Sequence, residues 1–285
     1  MFCKGFFCFF LGVLFSCGVF ALEKDPLSGI QHILNKPDAE IDIARAMLTI
    51  SQLIDPSVDV DAYMLKIDGL VDTLQEMAGD REVSLNDINQ LMYEKGPWNN
   101  NQEYTYNFDD PFGKDIKNHM LSNFLDTKVG NCISMPMLYY ILSRRFKYQM
   151  FISTAPSHLF VQGLVKEGLI GIEATRKAKS WPLEAFKTQW NITETAKENK
   201  LYFQRLPNKG IISQLLNAAV IHFMYTKDYK LALRTSALAL KYRSKNYYAM
   251  INMSATLARM IDESVYIEGL VPPSVKTLDD YYLTL

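Results

Sequence analysis

From Val129 to Glu173 one wide apolar helical pattern passes, through short connections only, into three strand-like runs. Ile133, Met137, Leu138, Ile141 and Leu142 give the helix an apolar face broad enough for a central, buried position, and Arg144 and Arg145 close it at the end where positive charge is favoured. Gln149 to Thr154, Leu159 to Val165 and Gly168 to Ala174 are β-branched or alternating runs, with Pro156 and Lys166-Glu167-Gly168 as the turns between them. Connections this short join antiparallel neighbours, so the stretch predicts a small antiparallel sheet packed on one central helix. Pro136 is tolerated only in a first helical turn. The helix therefore starts near Ser134, a good capping residue, and Cys132 sits just before it.

The flanks read as helical. A first helical region runs from Ile30, with Ile41, Ala44, Met47, Leu48 and Leu53 near a 3.6-residue period, and Asp55-Pro56-Ser57 breaks it. Val60 to Met77 forms the next helix, and Ser84 with Asp87 resembles a capping box opening a third through Tyr93. Gly96 to Gly113 is a loop rich in turn formers, whose aromatics (Trp98, Tyr104, Tyr106, Phe108 and Phe112) are expected to pack it down. Asp115 to Leu125 reads as one helix, and Leu183 to Trp190 as another. From Ile211 to Ile261 the chain is helical again, with small residues at Ala232, Thr235, Ser236 and Ala239 that let two helices approach closely. The expected class is α+β, mostly helical, with the small sheet on the Cys-bearing helix. Its expected parts are a signal peptide over 1–21, a domain with a helical N-terminal segment over 22–205 and a helical tail over 206–285.

The signal expectation rests on Lys4, an apolar run from Gly5 to Val19 and the small-residue site Val19-Phe20-Ala21. The run is short for a membrane span, so the mature chain is expected to be secreted or periplasmic, without a stable span. Cys3, Cys8 and Cys17 all lie within it, so cleavage leaves Cys132 as the sole cysteine, with no intramolecular disulfide and no Cys-based metal site. A net charge of −1 over 285 residues gives no reason to expect nucleic acid as a partner.

A lone thiol in an oxidising compartment is a liability unless it is buried or used. Here a histidine, His158, starts the second strand-like run and an acid, Glu173, ends the third. Cysteine, histidine and acid are what a thiol nucleophile needs: an imidazole to take its proton and a carboxylate to orient the imidazole. His32, His119 and His222 fall on helices away from this run, and no spacing points to a metal or cofactor site. Candidate oxyanion donors are the Cys132 N–H and the amides of Asn123 and Asn131.

The order Cys132, His158, Glu173, the Gly130-Asn131-Cys132-Ile133-Ser134 entrance and the Pro156-Ser157-His158-Leu159-Phe160-Val161-Gln162 strand resemble the transglutaminase-like superfamily, whose core is related to papain-like thiol enzymes. With the helical N-terminal segment and a partial tetratricopeptide-like hairpin in the tail, the chain looks like a bacterial branch that joins such a domain to helical repeats. The resemblance implies Cys132 as nucleophile, His158 as base and Glu173 as orienting acid in an exported hydrolase or acyltransferase acting on peptide or protein amide bonds. The superfamily's third member is usually Asp. Glu173 reaches one methylene further and fits only if its strand sets back. The alternative is a non-catalytic interaction module that binds a protein partner through its C-terminal helices, with a groove lined by Tyr242, Tyr247 and Tyr248.

Overall fold

The computed structural model describes residues 25–267; the expected signal segment lies outside them. Four helices come first: α1 (Ser28–Leu34), α2 (Ile43–Ile54), α3 (Val60–Ala78) and α4 (Leu85–Tyr93). Each of the last three starts on a side chain that accepts a first-turn N–H: Asp42 from Arg45, Asp59 from Asp61 and Ala62, and Ser84 from Asp87 in a complete capping box. The Arg81 guanidinium grips buried Asp87 with both nitrogens, at 2.5 and 2.6 Å, and holds its carboxyl far below the usual carboxylate range.

After α4 the chain makes a loop that ends in a two-residue strand, β1 (Thr105–Tyr106). This pairs in parallel with β2 (Val129–Gly130), which follows α5 (Leu121–Thr127). Central helix α6 (Ser134–Arg145) comes next, buried along most of its length. A four-stranded antiparallel sheet in the order β3 (Met150–Ala155), β4 (His158–Val165), β5 (Gly168–Glu173), β6 (Lys179–Pro182) packs on it. The register is set by tight turns, with Ala155 opposite His158 and Val165 opposite Gly168. Two short helices follow, α7 (Leu183–Lys187) and α8 (Glu194–Glu198), and then three long ones, α9 (Asn208–Tyr225), α10 (Tyr229–Tyr242) and α11 (Tyr247–Ile267). The architecture is α+β and mostly helical.

One apolar core runs from Leu27 on the approach to α1 to Ala249 on α11. α9 lies along α2, and the Asn208 and Lys209 N–H groups both donate to the Asp38 carboxylate, which fixes the start of α9 to the N-terminal part. Within the tail, Asn246 ties the start of α11 to α9: its amide N–H donates to the Ser213 carbonyl, and its oxygen accepts from Asn217 and the Ala249 N–H. Chain 201–206 runs beside β3, where Phe203 N–H donates to the Thr154 carbonyl and Leu206 N–H to that of Ile152. Among the described residues no helix is long and apolar enough to cross a membrane.

Five local expectations change. The helix expected over Asp115 to Leu125 splits into a 3-10 turn at Ile116–His119 and α5, with Met120 extended between them. The cause is buried Asn118, whose side chain bonds Asp110 and Asn107 and whose carbonyl accepts the Ser134 hydroxyl instead of the next helical N–H. Lys179–Pro182 is a fourth strand that the sequence reading left out, and α7 stops at Lys187 rather than Trp190. In the loop before β1, Tyr104 is buried edge-on against Phe124, but Phe108 and Phe112 are 81% and 86% exposed instead of packing down. Tyr247 and Tyr248 are half-buried rather than exposed, their rings tilted against each other at 4.1 Å with Tyr202 edge-on to Tyr247.

Candidate functional site

The entrance to α6 is built by Gly130 and Asn131. A Cβ on Gly130 would stand 2.3 Å from the Ser134 hydroxyl and 2.5 Å from the Phe124 ring, so only glycine lets β2 come this close to the helix. The Asn131 side-chain oxygen then accepts the N–H groups of Ile133 and Ser134. Asn131 is therefore the residue that caps α6. Ser134, expected in that role, lies inside the helix and instead joins the Asn131 N–H to the Asn118 carbonyl. Pro136 falls in the first turn, where its missing N–H costs nothing. Cys132 sits on the resulting turn, two residues before the helix, partly exposed and free of any disulfide.

His158 and Glu173 come from adjacent strands. His158 opens β4 directly after the Pro156-Ser157 turn, where Ser157 adopts a left-handed φ of 52°, an arrangement that costs a non-glycine residue of order 1 kcal/mol. This turn aims the Ser157 carbonyl at Cys132, whose Sγ donates to it at 3.8 Å. Glu173 ends β5 and is 6% exposed. One carboxylate oxygen meets His158 Nε2 at 2.7 Å, and the other accepts both the N–H and the hydroxyl of Thr175. The extra methylene of glutamate is thus taken up with both oxygens bound. With Nε2 engaged, Nδ1 is the nitrogen left for the thiol.

The electrostatics follow from this geometry. Burial pushes the His158 imidazole down, but hydrogen bonds to Cys132 and Glu173 and the charge of both outweigh it and raise its pKa to about 9. Burial pushes Glu173 up, yet the His158 and Thr175 hydrogen bonds with the His158 charge hold it below the ordinary carboxylate value. The Trp190 ring stacks on His158 at 5.2 Å between centroids and 29° between planes, a placement that favours a charged imidazole. On the other side, Tyr106 on β1 lies near enough to Cys132 and Glu173 for their charges, after burial, to raise its phenol pKa.

The structure therefore brings the three expected residues together. Among the proposed oxyanion donors, capping takes the Asn131 side-chain oxygen and leaves its NH2 as the group able to donate, and no interaction among the described residues links Asn123 to Cys132. The Ile133 and Ser134 N–H groups are taken by Asn131, whereas the Cys132 N–H enters none of the hydrogen bonds among the described residues. The sequence reading missed Thr175, which could have been noticed as a hydroxyl two residues past the acid, and Trp190, which carries no such local signal. The other histidines stay apart. His119 is half-buried beneath Gly113, which has φ 63° and whose added Cβ would stand 2.5 Å from its ring. His32 lies on α1 and His222 on α9. No group of three or more His, Cys, Asp or Glu among the described residues could hold a metal ion. A groove of ≈ 660 Å³ between α3, the 97–100 turn and Lys128 includes none of the three site residues.

A family model described as the transglutaminase-like superfamily matches residues 61–217, from the start of α3 to the middle of α9. No curated protein and no solved structure matches the chain.

Proposed function

Because the chain belongs to the transglutaminase-like superfamily, we propose that it is a thiol hydrolase or acyltransferase of peptide or protein amide bonds, working through Cys132, His158 and Glu173. The observation that supports this most is the His158–Glu173 pair at 2.7 Å beside a partly exposed, free thiol. In this reading the thiol proton passes to His158 Nδ1 before attack, giving a thiolate–imidazolium pair in keeping with the charged form that the site favours, and the thiolate adds to the amide carbonyl. The Cys132 N–H steadies the oxygen of the tetrahedral species. The C–N bond then breaks, His158 returns its proton to the leaving amine, and a thioester remains. Water or a second amine, losing a proton to His158, attacks the thioester and releases the acid or the new amide with the free thiol. Glu173 orients the ring and balances its charge, and no step calls for a cofactor. The signal-like N-terminus supports work outside the cytoplasm, secreted or periplasmic.

The test is alkylation of Cys132 by iodoacetamide at neutral pH, followed by intact mass. His158→Ala should slow it by about 100-fold, the low end of what a positioned base contributes. A wild-type thiol that does not react, or a rate indifferent to His158, sinks the proposal. The rival is a non-catalytic interaction module, and exposed Met250, Ile251, Leu257 and Ile261 on α11 speak for it as a surface for a protein partner. A Cys132→Ser chain that keeps its full effect in cells decides for the rival.

A further inference from the structure

Two phenylalanines stand out in the water at the edge of this site. Phe108 and Phe112 are the most exposed large apolar side chains among the described residues. Both hang from Tyr106. The Phe108 ring meets the Tyr106 ring edge-on at 5.3 Å, and the Tyr106 hydroxyl donates to the carbonyl of Pro111, the residue before Phe112. Tyr106 in turn is opposite Gly130 in the β1–β2 pair, two residues from Cys132, and the Asn107 N–H donates to the Gly130 carbonyl. Tyr106, close enough to Cys132 to feel its charge, is thus the link between the nucleophile and the segment that carries the two phenylalanines.

The segment that carries the rings is not a slack loop. Asn107 accepts the N–H groups of Asp109 and Asp110. The Asp110 carboxylate accepts those of Lys114 and Asp115 together with the Asn118 amide. Asn118 is itself buried and bonded to Ser134 at the start of α6, and Gly113 packs its backbone against His119 and Asn131. These polar ties fix the backbone on both sides of each ring, so neither can fold inward to escape water. A chain that spends this many bonds on holding apolar rings outward, on the frame that positions the thiol, has them in place for something that arrives at the thiol.

The geometry points to Phe108 and Phe112 as specificity-determining residues that seat a bulky apolar side chain of the peptide substrate next to the carbonyl Cys132 attacks. The inference rests on the thiol reading above and adds the substrate class to it: peptides apolar beside the reacting amide, in preference to small or charged ones. Its exposure to solvent on both rings suits a side chain that is clamped from above rather than swallowed in a pocket.

The experiment compares two peptidyl chloromethyl ketones, one with phenylalanine and one with glycine next to the ketone, with iodoacetamide as the reference for thiol reactivity. Chloride leaves from either ketone, and iodide from iodoacetamide, as the sulfur–carbon bond forms. The wild-type chain should take the phenylalanine reagent about tenfold faster than the glycine one, the scale on which an apolar contact discriminates. The double variant Phe108→Ser with Phe112→Ser, confined to exposed positions, should bring that ratio to near one. A wild-type ratio near one, with iodoacetamide still reacting, overturns the assignment and leaves the thiol reading standing. A ratio unchanged in the double variant overturns it too, and binding of the wild-type but not the double variant to phosphatidylglycerol vesicles would then assign the rings to a lipid surface. If iodoacetamide itself fails to react, the thiol reading falls, and this assignment with it.

Discussion

His158 is a histidine whose surroundings favour its charged form. Its pKa of about 9 is above the ordinary value near 6.5 that an unfolded chain restores. Stability drawn from its charge is therefore fully present below about pH 6.5 and is lost as pH rises through about 9. Glu173, held low, contributes on the opposite side and loses its share as pH falls through its own depressed value. The Glu173→Gln variant should accordingly lag the wild type most in denaturant stability near pH 6 and catch up toward pH 10, measured by urea unfolding across that range. A gap that widens with pH would mean that the imidazole is neutral and the pairing has been misread. At this scale the sequence was legible for Cys132, His158 and Glu173, because residue type and order carried the chemistry. Thr175, two residues past the acid, was within reach of the same local pattern, whereas Trp190 was not, since a stacking ring fifteen or more residues away is chosen by the path of α7 and the turn after it.

The element that decides the site is the turn from β2 into α6. The sequence pointed to Ser134 as its cap because serine is a preferred capping type, but Asn131 reaches the same two N–H groups from further back and leaves the Ser134 hydroxyl to brace Asn118. Asn131→Ala should cost about 1 kcal/mol of stability, the usual worth of a cap, and also slow alkylation of Cys132, because that turn sets the position of the sulfur. Thermal unfolding and the iodoacetamide rate measure the two effects separately, and a stability loss with an unchanged rate would show that Cys132 is placed by something else. Helices α2, α3 and α4 were legible from period and caps. The split before α5 was not, because the apolar period of Ile116, Met120, Leu121 and Phe124 continues across it and only a long-range bond between Asn118 and Ser134 reveals the break. β6 was missed for a similar reason: a four-residue strand ending in Pro182 becomes a strand only through its neighbour β5.

For the molecule as a whole, the tail and the N-terminal helices share one interior. α2 packs on α9, and Met47, Ile50 and Ile54 of α2 line one small cavity with Leu215 and Ala218 of α9. Ile211, Ile212, Leu215, Leu216, Val220 and Phe223 are all buried. Burying six such side chains is worth on the order of 10 kcal/mol, as much as a typical domain's entire stability of about 5–15 kcal/mol. A chain ended at Arg205 should therefore fail to unfold cooperatively and should bind hydrophobic dye, read by calorimetry and dye fluorescence. A sharp transition at the full-length temperature would show that the remainder folds alone. The helical character of this region was legible from its apolar period, whereas its attachment through Asp38 to Asn208, over a long stretch of chain, could appear only in three dimensions.

The course of chain 201–206 beside β3 bears on how the protein behaves when crowded among copies of itself. A sheet's outer strand ordinarily offers a row of unspent N–H and carbonyl groups to any passing strand, the usual start of edge-to-edge aggregation. Here Phe203 and Leu206 occupy the carbonyls of Thr154 and Ile152 on one side. On the opposite side β6 is four residues long, begins with exposed Lys179 and ends in a proline that cannot donate. The sheet that carries His158 and Glu173 is thus guarded at both borders against recruiting a neighbour, and the same segment that leads into α9 serves as the guard on one of them.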